Sequence, residues 1–322
     1  EFSDMMLKGR KMFLWGQHNG GKHWNEWLSD LGHGFCEIQA GILKTQLEHF
    51  VMEKNSKLNW TEGFSMISAD PAIIHGDDYS AASQEVASKM EDRFKLVYSN
   101  AFDIVSQEAP TYLGSGWGAL ENKIRNKSIS DICLFPEETI NDEQRYWETL
   151  LSGGKLPEYD VNDPINSYVV GDFWLDKLES IENKDWYAYN HLGILYYTKG
   201  DYVKSAQCFE KSIENKNNAW ALRNLAQIEG NLNKNLEKAA ELMLEAVKIK
   251  SDYIPLLSDC AKALLNNKQY EKWIEVYESL DEKIKANGRL RMLLCLCYVK
   301  TDRLDLAKGM MVPSFKVDDM KE

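Results

Sequence analysis

The C-terminal half of the chain is constrained most by a motif that returns at a nearly constant interval. From Trp186 onward a small residue recurs at Gly193, Ala226, Ala261 and Cys295, at spacings of 33, 35 and 34 residues. A turn and a second apolar stretch with helical spacing follow each small residue. Because self-similarity at this period is typical of helical-repeat arrays, the sequence predicts stacked helical hairpins rather than one closed core.

The first copy of the motif carries a family resemblance. Leu192-Gly193 is followed by Gly200-Asp201-Tyr202, by Ala206 and by Phe209, and Ser205 occupies the slot where alanine is usual. This order resembles the tetratricopeptide repeat (TPR), in which two antiparallel helices cross at a small residue. The resemblance implies a mainly α fold, a TPR-type α-α superhelix of about four hairpins. A helical segment and a small β remnant would precede it.

The TPR resemblance also implies where a partner would bind. In this family a groove is lined by the first helix of each hairpin, which here contributes Tyr187, Asn190, Ile194, Tyr197, Arg223, Gln227, Ser258 and Lys262. Asp259 and Pro255 stand where a chaperone-binding clamp would need basic residues, so a chaperone tail is disfavoured as the ligand. Two roles stay open for this face: docking of a protein or peptide partner, and service as an intramolecular scaffold.

The chain upstream of the repeats reads as helices separated by Gly- and Pro-containing breaks. Apolar spacing and capping residues predict helices over 77–107, 117–125, 141–151 and 172–182. We expect the last helix to pack on the first hairpin as a cap. The predicted domains are a β remnant, a helical linker and the repeat domain, over 1–76, 77–171 and 172–322.

Residues 11–67 carry strand and turn signals instead. Short apolar runs predict strands over 11–15 and 34–39, and residues 18–21 predict a turn between them. The composite of Phe13-Leu14-Trp15-Gly16, Glu37-Ile38-Gln39-Ala40-Gly41 and Trp60-Thr61-Glu62 resembles the C-terminal strands of a bacterial family of unknown function. In that family a galactose-mutarotase-like β-supersandwich precedes helices and TPR repeats. The resemblance implies that most of the sandwich lies upstream of Glu1.

The same resemblance implies a sugar site. The superfamily's general base lies in a Gly-x-x-x-Glu-x-Gln stretch, comparable to Gly34-Phe35-Cys36-Glu37-Ile38-Gln39 but one residue longer. By this comparison Glu37 faces the anomeric centre, where a carboxylate can remove a hydroxyl proton or assist glycosidic cleavage. Cleavage needs a second carboxyl group, for which Glu62 and Glu48 are near in sequence. Gln39, Trp15, Trp24 and Trp60 complete the predicted substrate site. A structural carboxylate and core-packing tryptophans are the alternatives.

Composition and charge narrow the function classes. A net charge of -12 at pH 7 without a basic cluster disfavours nucleic acid and membranes as partners. No run reaches the ~18 apolar residues of a membrane span. Six cysteines without CxxC spacing predict reduced thiols in a cytoplasmic protein. The histidines lack HxH or HExxH spacing, so the sequence predicts neither a metal site nor a cofactor, and a metal-dependent enzyme is disfavoured.

These patterns together predict a TPR-repeat protein of a carbohydrate-related family. The repeats would act as a scaffold or partner-binding surface, and the β part would contribute to a sugar-binding site. The first alternative is a glycoside hydrolase or sugar epimerase with Glu37 as its base, which would require the upstream part. The second alternative is a purely structural protein-interaction scaffold.

Overall fold

The computed structural model describes residues 1–30, 32–98, 112–131, 133–312 and 315–317. The chain forms two compact units, one within residues 1–111 and the other within residues 112–320. The domain boundaries that the sequence predicts, after residues 76 and 171, stay predictions.

The described part of the first unit consists of short strands and three helices. Its elements are β1 (Phe2–Ser3), β2 (Gly9–Leu14), α1 (Asn19–Leu28), β3 (Cys36–Gly41), β4 (Glu62–Gly63), α2 (Pro71–Ile74) and α3 (Tyr79–Tyr98). Strand β1 pairs antiparallel with β4, and β2 pairs antiparallel with β3, so the strands form two separate two-stranded ribbons. Among the described residues of this unit, only Ser3, Leu7 and Met90 are buried.

The predicted turn at residues 18–21 is wrong, because helix α1 begins at Asn19. A Cβ atom on Gly21 would lie 2.1 Å from the carbonyl oxygen of Gly16. Gly21 therefore allows the first helical turn to pack against the preceding backbone. The helix predicted over 77–107 is observed as α3, and the part of that prediction beyond residue 98 lies outside the described residues.

The second unit opens with three helices that pack together. They are α4 (Gly116–Arg125), α5 (Asp142–Gly153) and α6 (Asp172–Glu179), with a 3-10 turn at Glu137–Thr139. Asn141 starts α5 through a capping box with Gln144, which satisfies backbone N–H groups at the helix start. Helix α6 ends three residues before the predicted position 182. It packs against the first helix of the repeats, as the cap prediction requires.

Four helical hairpins complete the second unit and confirm the predicted TPR-type fold. The pairs are α7 (Trp186–Thr198) with α8 (Tyr202–Asn215), α9 (Ala219–Gln227) with α10 (Leu236–Ile249), α11 (Ile254–Asn266) with α12 (Tyr270–Glu278), and α14 (Gly288–Lys300) with α15 (Leu304–Met310). A short helix, α13 (Glu282–Lys285), precedes the fourth pair. Hairpins 1 to 4 bury one continuous apolar core between neighbours.

The first hairpin shows why the motif needs a small residue. A Cβ atom on Gly193 would lie 2.5 Å from the ring of Phe209, so α7 and α8 can approach only without a side chain there. The hydroxyl of Ser205 donates a hydrogen bond of 2.7 Å to the carbonyl oxygen of Gly193 at the same crossing. Serine in the alanine slot therefore ties the two helices together.

The turn of each hairpin shows a more regular period than the small residues do. The turns contain residues with positive φ at Gly200, Lys234, Lys268 and Asp302, spaced 34, 34 and 34 residues apart. The distance from the small residue to this turn residue is seven positions in hairpins 1, 3 and 4 and eight in hairpin 2. The extra residue is absorbed by a π-helical turn at Ile228–Leu232. There the amide of Asn233 donates to the carbonyl of Ile228, 3.1 Å away.

Candidate functional site

The groove face is the side of α7, α9 and α11 that carries the residues predicted to bind a partner. The structure divides this face into two parts. Over hairpin 1 and the start of hairpin 2 it is covered by the strap, which is defined here as residues 156–169. Between hairpins 2 and 3 the described residues leave it uncovered, and it forms a hollow that we call the open pocket.

The strap binds the groove face through aromatic, apolar and backbone contacts. The ring of Tyr159 stacks on Tyr187 with centroids 4.4 Å apart and planes 10° from parallel. The indole nitrogen of Trp220 donates a hydrogen bond of 2.9 Å to the carbonyl oxygen of Val161. The strap residues Ile165 and Val169 are buried in the same cluster. The first part of the groove face is therefore filled by the chain itself.

Two predicted partner-binding residues lie beneath this cover. Tyr187 and Asn190 both have 0% of their surface exposed. Burial raises the pKa of the Tyr187 hydroxyl well above its usual range. An external partner could reach these two side chains only if the strap left the groove face.

His191, which the sequence analysis does not single out, lies in the same buried layer. Its ring meets those of Tyr187 and Trp147 edge to face, with centroids 4.4 and 4.8 Å away. Burial lowers the pKa of this imidazole to about 3. Its Nε2 atom has no hydrogen-bond partner within the described part of the chain. The signal available in the sequence was its position four residues after Tyr187, on the same side of a helix.

Polar pairs link neighbouring first helices in a recurring arrangement. Asn224 donates to Asn190 at 3.2 Å, and Arg223 donates to one carboxylate oxygen of Asp259 at 2.6 and 3.0 Å. In both pairs the two residues hold fixed positions in neighbouring first helices. One is the fifth residue after the N-cap of its helix, and the other is the sixth residue after the N-cap of the next first helix. By this rule Ser258 would meet Leu293, which offers no polar group. The Ser258 hydroxyl accordingly has no hydrogen-bond partner among the described residues.

The open pocket lies where the π-helical turn meets hairpin 3. Its volume is about 320 Å³, and small or apolar residues line part of it: Ala226, Gly230, Ala239, Met243 and Ala263. Polar side chains line the rest: Gln227, Asn231, Asp259, Lys262 and Asn266. The amide of Asn231 donates to Gln227 at 2.9 Å, and the Lys262 ammonium lies 3.7 Å from Asp259.

This pocket brings together residues that the sequence predicted and others that it missed. Gln227 and Lys262 were predicted to bind a partner, and Arg223 is held at the pocket through Asp259. Asn231 was missed because it lies on the π-helical turn, whose inserted residue shifts the positions that face the groove. Asn266 was also missed, although it lies one helical turn after Lys262 on α11. Tyr197 is exposed and lies edge to face with Tyr202, outside the residues that line the pocket. Ile194 packs against the hairpin core.

The predicted sugar site falls in the first unit, on both ribbons. On β3 the side-chain amide of Gln39 donates to Glu37 at 2.6 Å, and both residues are half-buried. On β4 Glu62 accepts a hydrogen bond of 2.8 Å from the indole of Trp60. Because β3 pairs with β2 and β4 pairs with β1, the two predicted carboxylates belong to different ribbons.

The tryptophans of the predicted sugar site have different surroundings. Trp15 stacks on Trp24 with centroids 5.1 Å apart, and Phe13, which faces Glu37 across the β2–β3 pair, contacts Trp15 edge to face. Trp15 lines a hollow of about 380 Å³, and Gln39 lines another of about 600 Å³. Glu37 lines neither of these two hollows. The carboxylate of Glu48 accepts from the backbone amide of Lys44 at 2.9 Å.

The cysteines and acidic residues offer no metal-binding cluster in the described ranges. All six cysteines are unpaired, and burial raises the pKa of the Cys260 and Cys297 thiols to about 12. No helix in the part of the chain that the structure describes is long and apolar enough to cross a membrane.

Comparison with known proteins yields structural neighbours only. No family model matches the chain, and no curated protein matches it. MamA of AMB-1 is similar over 42% of this chain and 75% of its own, at 18% identity and a TM-score of 0.35. PilF from Pseudomonas aeruginosa matches 42% of this chain and 63% of its own, at 14% identity and a TM-score of 0.33.

A Podospora anserina kinesin light chain protein with nearly identical TPR-like repeats is a further neighbour. It is 15% identical, and the similarity covers 42% of this chain and 81% of that one, with a TM-score of 0.33. With scores at this level, the assignment of the repeats depends on the hairpins, crossings and 34-residue period of this chain itself.

Proposed function

We propose that this chain is a protein-interaction scaffold that docks an extended segment of a partner protein in the open pocket. The observation that carries the proposal is the set of three side-chain amides, those of Gln227, Asn231 and Asn266, around an uncovered hollow of about 320 Å³. Side-chain amides both donate and accept hydrogen bonds, so they match the alternating N–H and C=O groups of an extended backbone.

The charged residues of the pocket favour recognition over catalysis. Asp259 accepts two hydrogen bonds from Arg223 on one oxygen, and the Lys262 ammonium lies near its other oxygen. The charged side chains of the pocket are therefore engaged with one another. The same arrangement fixes the side chains that would meet a ligand.

The scaffold role extends to the chain's own strap. The two roles that the sequence left open, partner docking and intramolecular scaffolding, are in this proposal divided between the two parts of the groove face. A cytoplasmic location belongs to the same proposal, since six unpaired cysteines suit a reducing compartment.

Selection from a phage-displayed library of random peptides would test the docking proposal. We expect enriched peptides to bind the whole chain and to lose at least tenfold in affinity on Asn266→Trp, which would fill the pocket rim. The matched control is Asn217→Trp, at an exposed position between α8 and α9, and it should bind like the wild type. Equal binding to both variants, or no enrichment, would contradict the proposal.

Carbohydrate recognition by the first unit is a second candidate function. It is favoured by the hydrogen-bonded pair of Glu37 and Gln39 on the β2–β3 ribbon, which also carries Phe13 and is followed directly by Trp15. A carboxylate, an amide and aromatic faces are the groups that sugars contact. With the upstream sandwich that the resemblance implies, Glu37 would be the base of a glycosidase or epimerase.

Glycan-array binding and glycoside turnover, compared between the wild type and Glu37→Gln, test this second candidate. We expect the variant to lose binding while its melting temperature is unchanged, and Glu53→Gln at an exposed loop position serves as the control. A variant that is only less stable, with no glycan bound by the wild type, would make Glu37 a structural residue.

A further inference from the structure

His191 lies directly beneath the strap. Its own surface is 1% exposed, and the strap meets it through the ring of Tyr168, with centroids 5.8 Å apart. The Tyr168 side chain is itself 49% exposed and alternates along the strap with the buried residues Ser167 and Val169. On this side of the imidazole, a half-exposed ring of the strap is therefore the cover between His191 and solvent.

A second contact links His191 to the strap through helix α5. Trp147 meets the imidazole edge to face with centroids 4.8 Å apart, and its indole donates a hydrogen bond of 2.7 Å to the hydroxyl of Ser167. That hydroxyl in turn donates to the backbone of Glu143. His191 thus contacts the strap once directly and once through Trp147.

In the closed arrangement no charged side chain faces His191. The titratable groups in contact with it are the hydroxyls of Tyr187, on its own helix, and Tyr168, while Trp147 of α5 does not titrate. Arg223 acts on the Tyr168 hydroxyl, whereas burial alone lowers the pKa of His191. A protonated imidazole would bring a charge and two N–H donors into this layer without a counter-charge. Protonation therefore requires that the ring reach water.

Of the elements around His191, the strap has the fewest backbone hydrogen bonds. Residues 156–169 contain neither helix nor strand, and within the described chain their one backbone–backbone hydrogen bond joins Asp163 to Asp160 at 3.1 Å. Helices α5 and α7, by contrast, pair their backbone groups internally. Segments with few internal hydrogen bonds open at a lower free energy than packed helices. Opening of the strap is therefore the least costly way to expose His191.

We infer that the strap is a proton-sensitive cover, so that protonation of His191 releases it and exposes Tyr187 and Asn190 on the first part of the groove face. Both of these side chains are fully buried while the strap is closed. Because the closed state excludes the proton and the open state accepts it, acid shifts the equilibrium towards the open state. This device belongs to the covered part of the groove face and does not depend on partner docking in the open pocket.

Solvent exchange of the Trp220 indole N–H, followed by NMR, reports the strap because this group donates to Val161 in the closed state. Each rate is divided by that of free indole at the same pH, which removes the intrinsic effect of pH on exchange. With a pKa of about 3 in the closed state and ~6.5 in the open state, the relative rate should rise about thirtyfold from about pH 7.5 to about pH 5. The indole of Trp273, which is 0% exposed in hairpin 3, is the internal reference and should keep its relative rate.

Two variants assign the effect to His191. His191→Phe keeps an aromatic ring but cannot take up a proton, so the relative exchange rate of Trp220 should no longer depend on pH. The matched control is His75→Phe at an exposed position, which should behave like the wild type. The Cε1–H NMR signal of His191 in the wild type should titrate together with the rise in Trp220 exchange, and this readout does not require His191→Phe to fold.

Three outcomes would overturn the inference. A relative exchange rate of Trp220 that does not change with pH would show that the strap stays closed. Equal acceleration of Trp220 and Trp273 would mean that the repeats open as a whole rather than at the strap. A pH dependence that persists in His191→Phe would assign the release to another group.

Discussion

At the scale of single residues, Gly193 shows that two helices can cross closely where one residue has no side chain. The Phe209 ring occupies the space into which a Cβ atom would project. Phe209 is itself only 2% exposed, so it has little room to move. Packed interiors respond to even one added carbon atom, because few voids exist to receive it.

We predict that Gly193→Ala destabilises the protein by about 1–3 kcal/mol despite the better helix propensity of alanine. The matched control is Gly309→Ala in α15, where an added Cβ would meet no atom within 4 Å, and which should be neutral or stabilising. Urea unfolding of both variants measures the difference. If Gly193→Ala proved as stable as Gly309→Ala, the close crossing would be refuted.

His191 makes a residue-scale prediction about pH. Its pKa is about 3 in the folded chain and ~6.5 in the unfolded chain, so between these values the unfolded state binds the additional proton. His191 therefore does not reduce the free energy of unfolding above about pH 6.5. Below that pH it lowers this free energy as the pH decreases, by at most ~1.4 kcal/mol per pH unit.

The variant His191→Phe keeps an aromatic ring in the same contacts but cannot take up a proton. We expect the free energy of unfolding to fall less steeply in this variant than in the wild type between about pH 6.5 and pH 5. Urea unfolding at a series of pH values gives both slopes. Parallel slopes would show that His191 is not held neutral by burial.

At the scale of secondary-structure elements, the strap is the connection that decides which part of the groove face is open. It is tied at Ser167, whose hydroxyl accepts from the Trp147 indole at 2.7 Å and donates to the backbone of Glu143. Inside the strap the Tyr159 hydroxyl donates to the carbonyl oxygen of Pro164 at 2.7 Å, while the Tyr159 ring stacks on Tyr187. A segment without helix or strand is ordered here by side-chain contacts.

We predict that Tyr159→Ala lowers the free energy of unfolding by about 2 kcal/mol and loosens the strap, because the stacked ring on Tyr187 is lost. Hydrogen–deuterium exchange of residues 156–169 should rise, while exchange in α11 and α12 should stay as in the wild type. Tyr112→Ala, at a position 87% exposed, is the control and should change neither quantity. Unchanged strap exchange in Tyr159→Ala would argue against the stacking contact as its anchor.

At the scale of the whole molecule, the two units differ in how much they bury. The second unit contains two extended apolar clusters with fully buried side chains such as Trp147, Trp273 and Leu256. The described residues of the first unit bury only Ser3, Leu7 and Met90. Since buried apolar area is the main favourable term in folding, the second unit should account for most of the stability.

We expect a fragment of residues 112–322 to unfold cooperatively with a melting temperature close to that of the whole chain. A fragment of residues 1–111 should show a broad, weakly cooperative transition, because it has little buried apolar surface to lose. Circular dichroism during heating measures both fragments. A sharp transition in residues 1–111 alone would contradict this division of stability.

The sequence by itself determined the elements that depend on local chemistry. The repeat interval, the small residue at each crossing and the cap helix α6 follow from side-chain spacing within about 34 residues. N-capping residues such as Asp185 and Asn287 act on backbone groups of their own helix. The two strands that became β2 and β3 were also visible in local apolar runs, whereas the start of α1 was not, because Gly21 depends on its contact with Gly16.

Only the tertiary structure decided which surface is open. The strap meets the groove face through contacts such as Val161 with Trp220, which are 59 residues apart in the chain. The open pocket depends on the π-helical turn of hairpin 2. The small residues are spaced unequally, by 33 and 35 residues, but this inequality alone did not show that a residue is inserted there. Separate elements must pack together to bury Tyr187 and His191. The same is true of the pocket that brings Gln227 and Asn266 together. Such long-range packing has no local periodicity, so no pattern of neighbouring residues could encode it.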